Sequence, residues 1–327
     1  MPEVTMVKAL NEALRDSLSE DDRALILGED VGKLGGVFRV TDGLQAEFGP
    51  DRVFDTPLAE AAIAGVSVGL CMAGWHPVSE MQFDGFSYPA LDQVISHVAK
   101  YRYRSRGRQP MPLVIRIPYS GGYGGAEHHN DSPEAYYAHT AGLKVVTPST
   151  AVDAYHLLRE AIADPDPVVF FEPKSRYWSK EDGELADGHD DAAPIGKARI
   201  LRSGTDCTIV AYGAMVAKAL AAAEEAAQDD VDLEVLDLRS LVPLDVEALA
   251  GSVRKTGRAI VVHEAPMTAG FGAEIAARIM EDAFDFLEAP VLRVTGYDTP
   301  YPPATIESHY LPNAERILAA VDRVVNY

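Results

Sequence analysis

Two short runs, "PLVIRIPYS" at 112–120 and "PVVFFEP" at 167–173, are apolar almost without interruption. A strand with one face in water alternates apolar and polar residues, whereas a strand covered on both faces does not. "ALILGED" (24–30), "VFDTP" (53–57) and "LKVVTPS" (143–149) have the same character. Helical periodicity separates them, at 59–73, about 88–104 and 150–164. Strands alternating with helices imply βαβ units and a mainly parallel sheet with helices on both sides.

The alternation lapses at 174–195, "KSRYWSKEDGELADGHDDAAPI", a polar, acidic stretch broken by Gly and Pro that reads as a surface linker. It then restarts with "DCTIVAYG", "LEVLDLRSL", "RAIVVHEAP" and "PVLRVTG", with helices expected near 214–227, 245–255, 271–286 and 312–325. The 327 residues therefore divide into an α/β domain over 1–175, a linker over 176–197 and a second α/β domain over 198–327.

The formal net charge of −21 disfavours a nucleic-acid partner, which needs a basic face, and suits a partner that carries a basic patch. The one basic run, "KYRYRSRGR" at 100–108, reads as a helix end with cations near its C-terminus. No apolar run reaches the length of a membrane span, and "MPEVTMVKALNEALRDS" lacks a signal peptide's charged and apolar regions. The expected location is the cytoplasm. Cys71 and Cys207, far apart in apolar surroundings, support neither a disulfide framework nor a cysteine zinc site.

Ligands of open α/β sheets lie beyond the carboxyl ends of the strands. Two segments stand there. In "FDTPLAEAAIAGVSVGLCMAG" (54–74) Thr56 reads as an N-cap and Pro57 as the first helical residue, followed by a helix whose only charge is Glu60. Glu60 either answers the helix dipole or, if buried, bonds a ligand. The second segment is the Gly-rich "YSGGYGGAEHHNDSPE" (119–134), whose "GGYGGA" does not match a dinucleotide fingerprint. His128, His129 and His139 lack a familiar zinc spacing, and His129 is the better proton donor. In "FDGFSYPALDQ" Phe83 reads as packing, while Phe86, before a cap at Ser87, is placed to stack on a flat ring.

Taken together, "GEDVG…GGVFRVT", "FDTPLAEAAIAGVSVG", "FSYPALDQVISHVAKYRYRS", "HHNDSPEAYYAHTAGLKVVTPST", "DPDPVVFFEPK" and "GYDTPYPP" resemble the β subunit of a 2-oxo acid dehydrogenase E1 component. That family belongs to the transketolase-like thiamine diphosphate enzymes, and its motifs run the length of this chain in order. The resemblance implies a pyrimidine-binding domain followed by a transketolase C-terminal-like domain. It implies that Glu60 bonds N1′ of the cofactor's aminopyrimidine and favours the imino tautomer. A carboxylate sharing a proton with a ring nitrogen works best in a dry site, where the bond strengthens. By the same resemblance Phe86 stacks on the pyrimidine, Glu29 and Leu58 lie near the cofactor, and His129 gives a proton to the lipoyl sulfur during reductive acylation.

Thiamine enzymes hold the diphosphate through Mg²⁺ on a G-D-G segment, whereas "TDG", "FDG" and "EDG" here lack the leading glycine. The chain thus resembles half a cofactor site, with diphosphate and Mg²⁺ held by an E1 α subunit in an α2β2 heterotetramer. The resemblance further implies a potassium ion held mainly by backbone carbonyls at Leu113, Val114, Ala161, Asp164 and Asp166. It also implies acyl transfer to the lipoyl acyltransferase E2. "FFEPK", "VTGYDTPYPP" and the terminal "NY" look more like the branched-chain 2-oxo acid enzymes than the pyruvate or acetoin ones. A non-catalytic assembly subunit is the reading from a different class.

Overall fold

The computed structural model describes residues 3–183, 185 and 194–327. Fourteen strands are present among them: β1 Glu3–Thr5, β2 Ala24–Gly28, β3 Val53–Asp55, β4 His76–Glu80, β5 Val114–Tyr119, β6 Lys144–Val146, β7 Val168–Pro173, β8 Lys180–Asp182, β9 Arg199–Arg202, β10 Cys207–Ala211, β11 Leu233–Asp237, β12 Ser240–Val242, β13 Ala259–Pro266 and β14 Leu292–Gly296. A seven-stranded sheet runs β12-β6-β7-β5-β4-β2-β3, and a five-stranded one runs β14-β13-β10-β11-β9. Both are parallel except at one edge, where β12 lies antiparallel to β6 and β9 antiparallel to β11. The expected pair of mainly parallel α/β sheets is present.

Every residue of β5 and of β7 is buried, as their unbroken apolar runs require. One face of the first sheet is covered by the packed helices Met6–Glu20 and Ala151–Ala163, which bury Leu10, Leu14, Leu157 and Leu158. The other face is covered by the helix Glu60–Met72 and the turns that follow Asp84. In the second sheet, helices Met215–Ala226 and Ala314–Val325 close one face, and Val246–Thr256 with Gly272–Ala283 closes the other.

Four local expectations need correction. The helix near Glu60 starts at Glu60 itself, three residues after Pro57, and Thr56 is not its cap. Strand pairing takes precedence there, because the Thr56 N–H donates to the Gly28 carbonyl at 2.9 Å. The helix expected at 88–104 changes type along its length: a 3₁₀ turn over Gly85–Ala90, containing Pro89, an α turn at Leu91–Gln93, a wide π turn at Val94–Val98 and a short helix at Tyr101–Arg104. Its cap is Asp84 rather than Ser87. "LEVLDLRSL" is two strands in different sheets, parted at Arg239, whose φ of 56° turns the chain. Arg239 is fully buried and donates to Asp153, which anchors the crossing.

The stretch taken as linker is in part built into the fold. Tyr177 is fully buried and donates to Glu172 Oε2 at 2.6 Å, and β8 pairs with β1. Residue 184 and residues 186–193 of that stretch lie outside the described residues. Cys71 and Cys207 are buried free thiols. Among the described residues no helix is long and apolar enough to cross a membrane.

Candidate active site

The carboxyl ends of the central strands converge on one rim of the first sheet. Glu29 leaves β2, Glu60 opens the helix after β3, the Phe83–Phe86 turn follows β4, the Gly-rich loop follows β5, and Lys174 follows β7. This is the end at which open parallel sheets present ligand sites.

Glu60 is buried, although its neighbours Leu58, Ala61 and Ala62 are exposed, Leu58 at 77%. Among the described residues no hydrogen bond or ion pair holds its carboxylate. Glu29 is buried as well, and neither of its carboxylate oxygens has a hydrogen-bond partner. Burial, together with the charges of Glu60, Asp30 and Glu80, pushes Glu29 up to about 7. The Glu29 carboxylate is thus dry and without a protein cation beside Glu60, whose oxygens open on the rim, an arrangement that costs free energy unless a proton or a donor ligand meets it.

The helix Glu60–Met72 packs against the Gly85–Ala90 turn, which brings the half-buried Phe86 beside Glu60's element. Phe86 meets His129 with ring centroids 5.1 Å apart, edge to face, and Phe83 meets the same imidazole at 4.4 Å. Phe83 is buried, as its packing role requires. The His129 Nδ1 is buried without a partner. Burial first, then the nearby His128 and Lys174 charges, hold His129 below the usual histidine range, so the ring is neutral at pH 7.

The loop carrying His129 is tied down at both ends. At its start Gly121 N–H donates to Glu264 Oε2 and Gly122 N–H to Glu307 Oε1, both at 2.9 Å, and Tyr301 donates to the same Glu307 oxygen at 2.6 Å. A Cβ on Gly121 would stand 1.8 Å from the Tyr301 hydroxyl, so any side chain there would displace the tyrosine from Glu307. At its end the Asp131 carbonyl accepts from Ser120 N–H at 3.0 Å, Asp131 N–H donates to Asp84 Oδ1 at 3.2 Å, and Tyr88 donates to Asp131 Oδ2 at 2.8 Å. Sequence reasoning missed Asp84, Lys174, Glu264, Tyr301 and Glu307. The four glycines at 121, 122, 124 and 125, shortly before the His-His pair, were the available hint that something holds this loop closely.

No group of three or more His, Cys, Asp or Glu side chains suited to a metal occurs among the described residues. The residues expected near potassium lie elsewhere, at the amino ends of β5 and β7. There Met111 N–H donates to the Pro165 carbonyl at 3.0 Å, and the Leu113 carbonyl accepts from Val168 N–H at 2.9 Å. Asp164 is paired with Lys144 and Asp166 with Arg102. The Ala161 carbonyl accepts from Asp164 N–H at 3.4 Å, and each such oxygen keeps a second lone pair for a cation.

A largely buried glutamate whose carboxyl has no protein partner, a half-buried phenylalanine and a neutral imidazole on one rim fit a flat nitrogen heterocycle. Comparison with known proteins gives the same frame. The chain matches the pyrimidine binding domain of transketolase over residues 2–179 and the transketolase C-terminal domain over residues 196–317. It is 57% identical to the 3-methyl-2-oxobutanoate dehydrogenase subunit beta of Mycobacterium tuberculosis strain H37Rv, over 98% of this chain and 92% of that one. This chain is a 2-oxo acid dehydrogenase E1 β subunit. The E1 β subunit is also 58% identical to the pyruvate dehydrogenase E1 component subunit beta of Leifsonia xyli, over 98% and 95% of the two chains. With the 2-oxoisovalerate dehydrogenase subunit beta of Pseudomonas aeruginosa it shares 45% identity over 98% and 95%. A solved split-gene transketolase, described as an inactive β4 tetramer, has the same fold, with a TM-score of 0.82 at 24% identity over 99% of this chain and 98% of the other. The E1 β subunit thus belongs to a thiamine diphosphate-dependent family.

Proposed function

We propose that the E1 β subunit serves a branched-chain 2-oxo acid dehydrogenase, in which an α subunit completes its site in an α2β2 heterotetramer and E2 receives the acyl group on its lipoyl arm. The observation that carries this reading is Glu60, a residue buried except at its carboxyl oxygens, which have no protein partner among the described residues. In this reading Glu60 bonds the pyrimidine N1′, Phe86 stacks on that ring, and Leu58 and Glu29 line its approach. Thiamine diphosphate, when bound, supplies the carbanion and the electron sink needed for decarboxylation. Glu60 holds the proton at the ring nitrogen, its carboxyl open on the rim where that ring would lie. Glu29, poised near neutrality, limits the negative charge that Glu60 meets. His129 carries a proton to the departing lipoyl sulfur, for which a neutral imidazole must first be charged.

Mg²⁺ and the diphosphate belong to the α subunit in this reading, and the carbonyls of Leu113, Val114 and Ala161 with Asp164 and Asp166 hold potassium. The domains of this reading are 1–175 and 198–327, joined by 176–197, whose first part packs on the amino-terminal domain through Tyr177 and β8, and the complex is cytoplasmic. "FFEPK", "VTGYDTPYPP" and the name of the 57% identical relative support the branched-chain substrate. The 58% identical pyruvate-type relative supports the alternative. Co-purified α and β subunits decide between them by decarboxylation of 3-methyl-2-oxobutanoate against pyruvate. Glu60→Gln in that assembly is expected to lose most turnover while the tetramer persists; unchanged turnover would make the chain an assembly subunit only.

A further inference from the structure

We propose that Asp84 and Lys174 act as a positioning pair that fixes the His129 imidazole against the Phe86 turn and so governs acyl delivery without touching substrate; the inference rests on the function proposed above. Asp84 is fully buried and does three things at once. Its Oδ1 accepts from Gly85 N–H at 2.7 Å, capping the turn that carries Phe86. The same oxygen accepts from Asp131 N–H at 3.2 Å, two residues beyond His129. Its Oδ2 takes the Lys174 ammonium, and both side chains are shut off from water. One carboxylate therefore joins three segments that are remote in sequence: the end of the β4 loop, the end of the histidine loop and the end of β7.

The surroundings show that this joint is set closely. A Cβ on Gly85 would lie 2.3 Å from the His128 carbonyl oxygen, so the backbone of the histidine pair sits directly on the capped turn. The Lys174 ammonium stands 5.5 Å from the Tyr123 ring centre and 5.9 Å from that of Phe83, the ring that meets His129 edge-on. The pair is thus boxed between the aromatic turn and the Gly-rich loop. Stability alone does not explain it, because well-packed apolar residues commonly replace a buried ion pair at no cost. What an apolar replacement lacks is the set of bonds from one carboxylate to Gly85, Asp131 and Lys174, which fixes where the imidazole lies.

The test uses the reconstituted α2β2 enzyme with Asp84→Leu, which removes the acceptor of both amides, and with Asp84→Leu/Lys174→Met, which also removes the unpaired buried cation. Reductive acylation of a lipoyl domain is expected to fall about 100-fold in kcat, the scale of a misplacement of ~1 Å. KM for that domain stays unchanged, and reduction of an artificial electron acceptor, which bypasses lipoyl transfer, falls less than about tenfold. A second readout needs no turnover. In the double variant the His129 carbon resonances titrate at a higher pH, and the Gly85 and Asp131 amides exchange faster together. Equal losses in both reactions, unchanged acylation in a folded variant, or insolubility of both variants would overturn the positioning role. If the wild-type assembly decarboxylates no 2-oxo acid, the functional reading fails, while the resonance and exchange measurements still judge the pair.

Discussion

Arg116→Met would expose how strongly the site rim depends on a network beneath it. Arg116 lies on β5, between β4 and β7, with no exposed surface. It donates to Glu172 Oε1 and Oε2 at 2.7 and 2.9 Å and to Glu80 Oε2 at 2.7 Å. Methionine nearly fills the volume but leaves two carboxylates buried side by side with no cation. Removing one partner of such a cluster costs roughly 3–5 kcal/mol. At ~2–4 °C per kcal/mol, the melting temperature of the full chain should drop by about 6–20 °C near pH 8. The sign of the pH dependence follows from the carboxyls. Burial already raises Glu80 despite Arg116, and without the arginine Glu80 rises further above its unfolded value of about 4.3. A group raised in this way adds stability at low pH and loses it as pH climbs through the folded value. The deficit should therefore shrink toward pH 5. Thermal unfolding followed by circular dichroism at pH 5, 6.5 and 8 measures it. A deficit that is flat across this range, or below ~1 kcal/mol, would refute the reasoning.

Gly85→Ala is expected to keep the fold but displace the histidine turn, since the new methyl carbon meets the His128 carbonyl at 2.3 Å. Steady-state acylation of the lipoyl domain should fall at least about tenfold, and wild-type rates would contradict the tight seating of that turn. Glu264→Gln keeps an acceptor for Gly121 N–H while removing a carboxyl that burial pushes up to about 7. Because the wild-type carboxyl loses stability as pH rises through that value, the variant should match wild type near pH 5 and exceed it near pH 8 by up to roughly 3 kcal/mol. Urea unfolding at the two pH values checks this, and a gain confined to pH 5 would reverse the argument. Gly121→Ala, set against the Tyr301 hydroxyl, should loosen the start of the same loop, measured as faster proteolysis within 121–131.

The strands whose cores are continuous apolar runs were legible without any structure, because burial on both faces writes itself into composition. Strand β4, "HPVSE", was not, although it lies inside the sheet. Its polar residues are satisfied by partners that local sequence cannot show: Ser79 shares a 2.6 Å bond with Ser67, and Glu80 takes Arg116. The helix Met6–Glu20 carries an ordinary apolar stripe, yet no strand precedes it to announce a βαβ unit beyond the short β1. Glu60, Phe86 and His129 could be singled out from motif and position. Their supports could not, since Asp84 and Lys174 are 90 residues apart, Gly121 and Glu264 are 143 apart, and Gly122 and Glu307 are 185 apart. Chemistry-bearing residues cluster in short motifs, whereas the groups that aim them are chosen by the fold.

The three residues of β12 belong by chain order with the second sheet but complete the margin of the first. A polypeptide severed between the two sheets would therefore not yield two finished halves. The amino-terminal fragment would bare the hydrogen-bonding groups of β6, an open template for aggregation, until the other fragment returned its short ribbon. Genetic fission at this point would work only if both pieces were made together and met promptly.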